Sequence, residues 1–205
     1  MNNSRNSILQ KLRSGRREAP PFPDAYRAPE IEDRIAAFTR GLEKVFATYS
    51  NVNSITDTGK EIEHYLGKLG AAGDVVVTRG IRETGLLKGT SLNLVDAPTR
   101  GNEASAIVLA YAGIAETGSL VFLSGVDSPV TTNFLPDNFI CVLEQGDLLN
   151  DMESLWLRMK NENRKMPRAI NIVTGPSRTA DVEQTIQMGA HGPRRVHVIV
   201  QRDRN

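Results

Sequence analysis

The sequence predicts an α/β fold, a sheet carrying helices on its faces, and three observations lead to it. Apolar residues recur every three or four positions through residues 31–49 and again through 62–69, the spacing of one buried helix face. Short β-branched runs, Val75-Val76-Val77 and Val196–Val200 among them, read as buried strands. Strand and helix patterns then alternate through the second half, the order that builds a sheet with helices packed against it.

Taken in chain order, residues 1–28 form an N-terminal arm and residues 29–205 one domain, which suits a chain of 205 residues. Within the arm Ile8, Leu9 and Leu12 line one face of a short helix, which Arg13-Ser14-Gly15-Arg16-Arg17 and the prolines Pro20, Pro21 and Pro23 bring to an end. The basic run is either a solvated face or a patch that meets phosphate or a partner. Ile31, Ile35, Phe38, Leu42, Val45, Phe46 and Tyr49 make the first long helical stripe; Ile62, Tyr65, Leu66 and Leu69 make the second, stopped by Gly70, with His64 facing solvent. Asp74–Thr78 is a strand. Residues 79–105 are broken by Gly80, Gly85, Gly89, Pro98 and Gly101, with one short strand at Leu92–Val95. Gly80 and Gly85 have the spacing of a phosphate-binding loop, but Leu86-Leu87 stand where Lys and Ser/Thr are needed, which excludes that motif. Ala106–Ala115 and Ser119–Ser124 read as two strands around the turn Glu116-Thr117-Gly118. Phe139–Leu143 is another strand. Leu148, Met152, Leu155, Trp156 and Met159 share a helix face, with Asp147 or Asp151 near its start. Ala169–Val173 is a strand, followed by the loop Thr174–Asp181, a short helix to about Met188 ended by Gly189, and the last strand Val196–Val200.

Composition narrows the function classes. Lys and Arg (25) balance Asp and Glu (24), so no whole-chain field draws in polyanions, which argues against nucleic acid as the main partner. One cysteine, Cys141, excludes an intrachain disulfide and an iron–sulfur cluster held by this chain, since such clusters need four thiolates. Three scattered histidines and that cysteine give no metal-ligand spacing, and no Gly-x-Gly-x-x-Gly follows a strand, so neither a metal nor another cofactor is expected. The polar N-terminus lacks the apolar core of a secretory signal, and no apolar stretch reaches the ~20 residues of a membrane span. The expected location is cytoplasmic.

Three segments carry candidate chemistry: the Glu116 turn, the stretch Asn133-Phe134-Leu135-Pro136, and Thr174–Asp181 together with Ala190-His191-Gly192-Pro193. A strand feeding the loop Thr174-Gly175-Pro176-Ser177 and then a helix would set free N–H groups at the carboxyl edge of the sheet, where an anion is welcome. Arg178 adds a fork that matches a carboxylate or phosphate, and Ser177 and Thr179 add hydroxyls. Arg178 could equally be held in a buried pair with Asp181 or Glu183. Asp181, three residues before Gln184, has the spacing of an N-cap pair, so it either caps the helix or joins the site. Glu116, at a strand end, is either a base or a polar turn residue whose neighbour Gly118 supplies positive φ. His191 sits among small residues, with room for a ligand beside it or a turn to hold by hydrogen bonding. His197 points into a β-run and reads as structural. A Ser177–His191–Asp181 triad lacks the strained elbow that chemistry requires.

Ile114-Ala115-Glu116-Thr117-Gly118-Ser119-Leu120, Leu135-Pro136, Gly175–Glu183 and Gly189–Pro193 stand in the order seen in the LUD-domain family, and the chain resembles the short, cluster-free members of that family over about residues 100–201. The resemblance implies a three-layer open sheet with helices on both faces, like the NagB/RpiA/CoA-transferase superfamily. It implies a part in oxidising L-lactate to pyruvate beside iron–sulfur partner subunits, with Glu116 and His191 as catalytic candidates. On that fold Glu116 could also be a nucleophile that forms an acyl intermediate. Thr117, Gly118, Pro136, Thr174, Gly175, Pro176, Ser177, Arg178, Thr179, Asp181 and Gly192 would then surround a small anionic ligand. Two rivals stand beside this reading: a stand-alone enzyme acting on a small anionic metabolite, such as an acyl- or CoA-transferring activity, and a non-catalytic sensor of lactate or a phosphorylated ligand.

Overall fold

The computed structural model describes residues 2–14, 28–71, 73–96, 104–180, 186–188 and 192–202. Its elements run α1 (Asn2–Ser14), α2 (Arg34–Lys44), β1 (Thr48–Val52), α3 (Ile55–Lys68), β2 (Asp74–Val77), α4 (Arg79–Thr84), β3 (Asn93–Asp96), β4 (Ser105–Leu109), β5 (Ala112–Ile114), β6 (Ser119–Leu123), α5 (Val130–Phe134), β7 (Asn138–Glu144), β8 (Leu148–Leu149), α6 (Met152–Asn161), β9 (Ile170–Val173), β10 (Arg178–Ala180), β11 (Ile186–Met188) and β12 (Arg195–Gln201).

The expected sheet is present with parallel strands throughout, in the order β1-β12-β7-β4-β2-β3. Alternation along β7 shows how it divides two cores. Phe139, Cys141 and Leu143 face a cluster that holds Phe38 and Leu42 of α2, while Ile140 and Val142 face one that holds Ile62 and Leu66 of α3 and Ile81 of α4. Helices therefore cover both faces. Truncating any of the buried Phe, Leu or Ile side chains among these to alanine should cost about 2–5 kcal/mol.

A second sheet, β8-β5-β6-β9, was not expected as a separate layer. The apolar run Ala106–Ala115 reads as one strand, but its chain changes partners midway. The Ala110 N–H donates to Val142 O in the large sheet, and the next N–H, of Tyr111, donates to Val121 O in the small one. The small sheet shares the α2 face, and α6 covers its far side through Leu155 and Met159. A short β-branched or apolar run cannot tell which sheet it joins, because both environments are dry.

Helix ends follow their capping chemistry. Asp33, Ser54 and Asp151 accept hydrogen bonds from the N–H groups of Ala36, Asp57 and Ser154 at the starts of α2, α3 and α6. Asp151 is thus the cap, and Asp147 instead pairs with Arg158 at 2.8 Å. Two helices stop in the same way. At the end of α3, Gly70 (φ 62°) donates to Gly67 O and Ala71 to Leu66 O; at the end of α2, Phe46 (φ 62°) donates to Glu43 O and Ala47 to Leu42 O. Both are Schellman stops, which place one residue in the left-handed region and favour glycine there. The first stripe accordingly does not run on to Tyr49: α2 ends at Lys44, Phe46 lies 63% exposed, and Tyr49 belongs to β1.

Candidate functional site at the amino edge of the parallel sheet

The segment after β9 departs from the expected strand–loop–helix. Arg178, Thr179 and Ala180 pair in antiparallel register with Met188, Gln187 and Ile186, so β10 and β11 form a hairpin where a short helix was expected. Backbone groups that a helix start would leave open are used in that ladder. Among the described residues no helix starts after this loop, and the ladder takes up backbone groups that the expected anion site would have needed.

The loop also meets a different edge of the sheet from the one expected. Its Ser177 N–H donates to Pro193 O at 2.8 Å, and Gly192 lies against Ser177 so closely that a Cβ on it would come 3.2 Å from Ser177 Cβ. Pro193 leads into the first residue of β12, so the contact is at the amino ends of the parallel strands. Gly175 (φ 80°) backs onto Val45, where a Cβ would come within 2.6 Å of Val45 Cγ2. Only glycine fits there, and its fit fixes the loop against the α2 stop.

The Glu116 turn reaches the same loop from the other side. A hydroxyl chain runs from Thr117 Oγ1 to Ser119 Oγ and on to Thr174 Oγ1, 2.7 Å at each step. Gly118 (φ 70°) sits backbone-to-backbone on Gly41 of α2, as the sequence expectation of positive φ requires. Glu116 itself is exposed, and among the described residues nothing bonds its carboxylate. Pro136 and Pro176 are buried. Pro136 precedes Asp137, whose carbonyl accepts from the Arg195 N–H at 2.9 Å. The structure thus brings Thr117, Gly118, Thr174, Gly175, Ser177 and Gly192 onto one continuous edge. His191 and Asp181 lie outside the described residues, as do Glu183 and the side chain of Thr179. Arg178 is exposed rather than buried, and its guanidinium carbon lies 3.8 Å from the Phe46 ring centroid.

Beside this edge lies a cavity of about 430 Å³ lined by Phe46, Thr48, Tyr65, Leu69, Arg194, Arg195 and Val196. Its floor is stacked: the Tyr65 and His197 rings lie 3.9 Å apart and 12° from parallel, and Thr48 Oγ1 sits 2.8 Å from His197 Nδ1. Burial lowers the His197 pKa to about 4, so this imidazole is neutral at pH 7, and its Nε2 has no partner among the described residues. Burial raises the Tyr65 pKa, opposed by its hydrogen bond with Thr48 and by the nearby Arg195 charge. Arg195 Nη1 donates to Asn138 Oδ1 at 3.1 Å, a neutral partner. Among the described residues Arg194 has one carboxylate near it, Asp137 at 4.0 Å. Three guanidinium groups, Arg178, Arg194 and Arg195, therefore gather at this edge with little compensating negative charge among the described residues. An edge of that kind favours an anion.

Sequence reasoning missed Phe46, Arg194 and Arg195. Phe46 fits the helical stripe by spacing, which conceals it. The Arg-Arg pair between Gly192-Pro193 and an apolar strand was legible as charge at a strand entrance. Elsewhere, Arg79, Arg82, Arg158 and Arg164 are paired with Glu83, Asp127, Asp96, Asp147 and Glu162, which leaves the carboxyl-edge cavities without a surplus of positive charge. Among the described residues no group of His, Cys, Asp and Glu could hold a metal ion, and no helix is long and apolar enough to cross a membrane.

A sequence profile of the LUD domain matches residues 35–200. An uncharacterized protein of Neisseria meningitidis is 34% identical over 85 residues, 42% of this chain and 36% of that protein. Lactate utilization protein C of a Geobacillus species is 33% identical over 94 residues, 44% of this chain and 39% of that protein. The chain thus aligns with less than half the length of these curated relatives. The crystal structure of a DUF162 family protein from Deinococcus radiodurans superposes with a TM-score of 0.62, covering 82% of this chain and 96% of that one at 20% identity, a likeness of fold.

Proposed function

The chain belongs to the LUD-domain family, and from that premise we propose that it serves L-lactate oxidation as a subunit that binds a small anion and leaves electron transfer to iron–sulfur partners. The observation that carries the anion reading is the gathering of Arg178, Arg194 and Arg195 beside a cavity, with Asp137 the one carboxylate near Arg194 among the described residues. The lactate reading draws its support from the likeness to lactate utilization protein C. Cys141 supports the division of labour: it is the single cysteine of the chain, it is buried in β7, and burial pushes its thiol pKa up. It offers no thiolate set for a cluster. The two electrons released when L-lactate becomes pyruvate therefore go, in this reading, to cluster-bearing partners.

The same proposal includes kinship with the sugar-phosphate isomerase and CoA-transferase superfamily, supported by the parallel sheet with helices on both faces. Glu116 and His191 are its candidate proton carriers. The test is genetic and biochemical together. Deleting the gene should abolish or strongly slow growth on L-lactate, and the tagged protein from lactate-grown cells should bring down proteins with iron–sulfur absorption. Normal growth of the deletion strain on lactate would overturn the proposal.

A further inference from the structure

Phe46 occupies a position where the backbone asks for glycine. The two Schellman stops are built with the same hydrogen bonds and the same φ of 62°, and α3 uses Gly70 where α2 uses Phe46. Stopping the helix does not require a ring, and a side chain in the left-handed region is strained. Nor does the ring serve the core, since it is 63% exposed. It instead forms a wall of the amino-edge cavity. Arg178 stacks on the ring but is not part of the cavity wall, so it braces Phe46 from outside.

The remaining walls are of one character. Leu69 is 36% exposed beside Phe46, and Val196 and the Tyr65 ring complete an apolar interior, while Arg194 and Arg195 supply the charge. The volume of about 430 Å³ falls in the range of sites that bury drug-sized ligands, roughly 300–1,000 Å³. L-lactate has six non-hydrogen atoms and would leave most of this space and all of its apolar wall uncovered. We infer that the amino-edge cavity binds an amphipathic anion, a carboxylate or related head held by Arg194 and Arg195 with an acyl or aryl body against Phe46, Leu69 and Val196. This rests on the anion reading above and names its ligand class. A strained, exposed ring next to two guanidinium groups is what such a ligand needs: an apolar platform and a charged clamp within one cavity.

Calorimetric titration of the purified protein with L-lactate, inorganic phosphate, octanoate and 1-naphthoate tests the inference. Octanoate or 1-naphthoate, whichever body the cavity prefers, should bind at least tenfold tighter than L-lactate. Phe46→Gly and Arg194→Ala should each weaken that binding tenfold or more. Phe46→Gly should do so with an unchanged or raised melting temperature, which separates loss of the platform from loss of the fold; Arg194, 56% exposed, is removable without unfolding. L-lactate or phosphate binding as tightly as the larger anions would overturn the ligand class and leave the anion site standing. Failure of all four anions to bind would overturn both. Binding of the larger anions unaffected by Phe46→Gly would overturn the assignment to this cavity.

Discussion

His197 is buried to 3% exposure between Tyr65 and Thr48, and its protonation is linked to folding. Its folded pKa of about 4 lies below the ordinary value of 6.5, because burial disfavours the cation more than the charge of Glu61 favours it. The unfolded chain therefore takes up a proton at a pH where the folded one does not. The stability this residue contributes is present above pH 6.5 and is lost as the pH falls towards 4, up to about 3 kcal/mol for the full shift. Urea unfolding at pH 7 and pH 5 should show the wild type losing about 2 kcal/mol more than His197→Gln between the two. Equal losses would remove His197 as the cause. At this scale the sequence was partly legible. An alternating β-run already read His197 as structural, and the positive φ of Gly118 was readable from the turn. The role of Phe46 was not, since a residue one position past a helix keeps the helix's apolar spacing while its backbone has already turned away.

Between elements, α2 approaches the β5–β6 turn closely, and Gly41 and Gly118 touch there through their backbones. A Cβ on Gly118 would lie 2.6 Å from the Gly41 carbonyl carbon and would also have to take φ 70°. Gly118→Ala should cost about 2–5 kcal/mol, the sum of left-handed strain and overpacking. Denaturant unfolding checks this, and a cost below about 1 kcal/mol would mean that the turn and helix are free to separate. The same change should disturb the Thr117–Ser119–Thr174 hydroxyl chain and so loosen the loop beside the cavity. Helix α3 and strands β2, β7, β9 and β12 were legible because each has one period and one clear stop; α2 and α6 were legible by period but not at their end and start, where Tyr49 and Leu148 belong to strands. The two-sheet division and the β10–β11 hairpin were not. Partner choice at Ala110-Tyr111 is a matter of which strand lies alongside. Residues 178–188 combine a possible cap with β-branched Thr179 and Ile186, and strand pairing decided between them.

For the molecule as a whole, the position of β12 has a consequence in time. This strand lies between β1 and β7, and its pairing with β1 joins residues 149 apart in the sequence, Thr48 and His197. Among the described residues β1 has no other neighbour in its sheet. While the ribosome is still making the chain, β1 emerges well before its partner, and its hydrogen-bonding edge stays unoccupied until residues 195–201 have left the exit tunnel. Thr48, Tyr65 and Phe46 likewise gain Arg194, Arg195 and Val196 only then, so the cavity is finished well over a hundred residues after its first wall has been synthesised. Translation-arrest reporters placed along the chain should register a folding force only once β12 is exposed, and an earlier force peak of full size would refute this order. Chaperones that shield open strand edges would then meet this protein as a long-lived nascent chain.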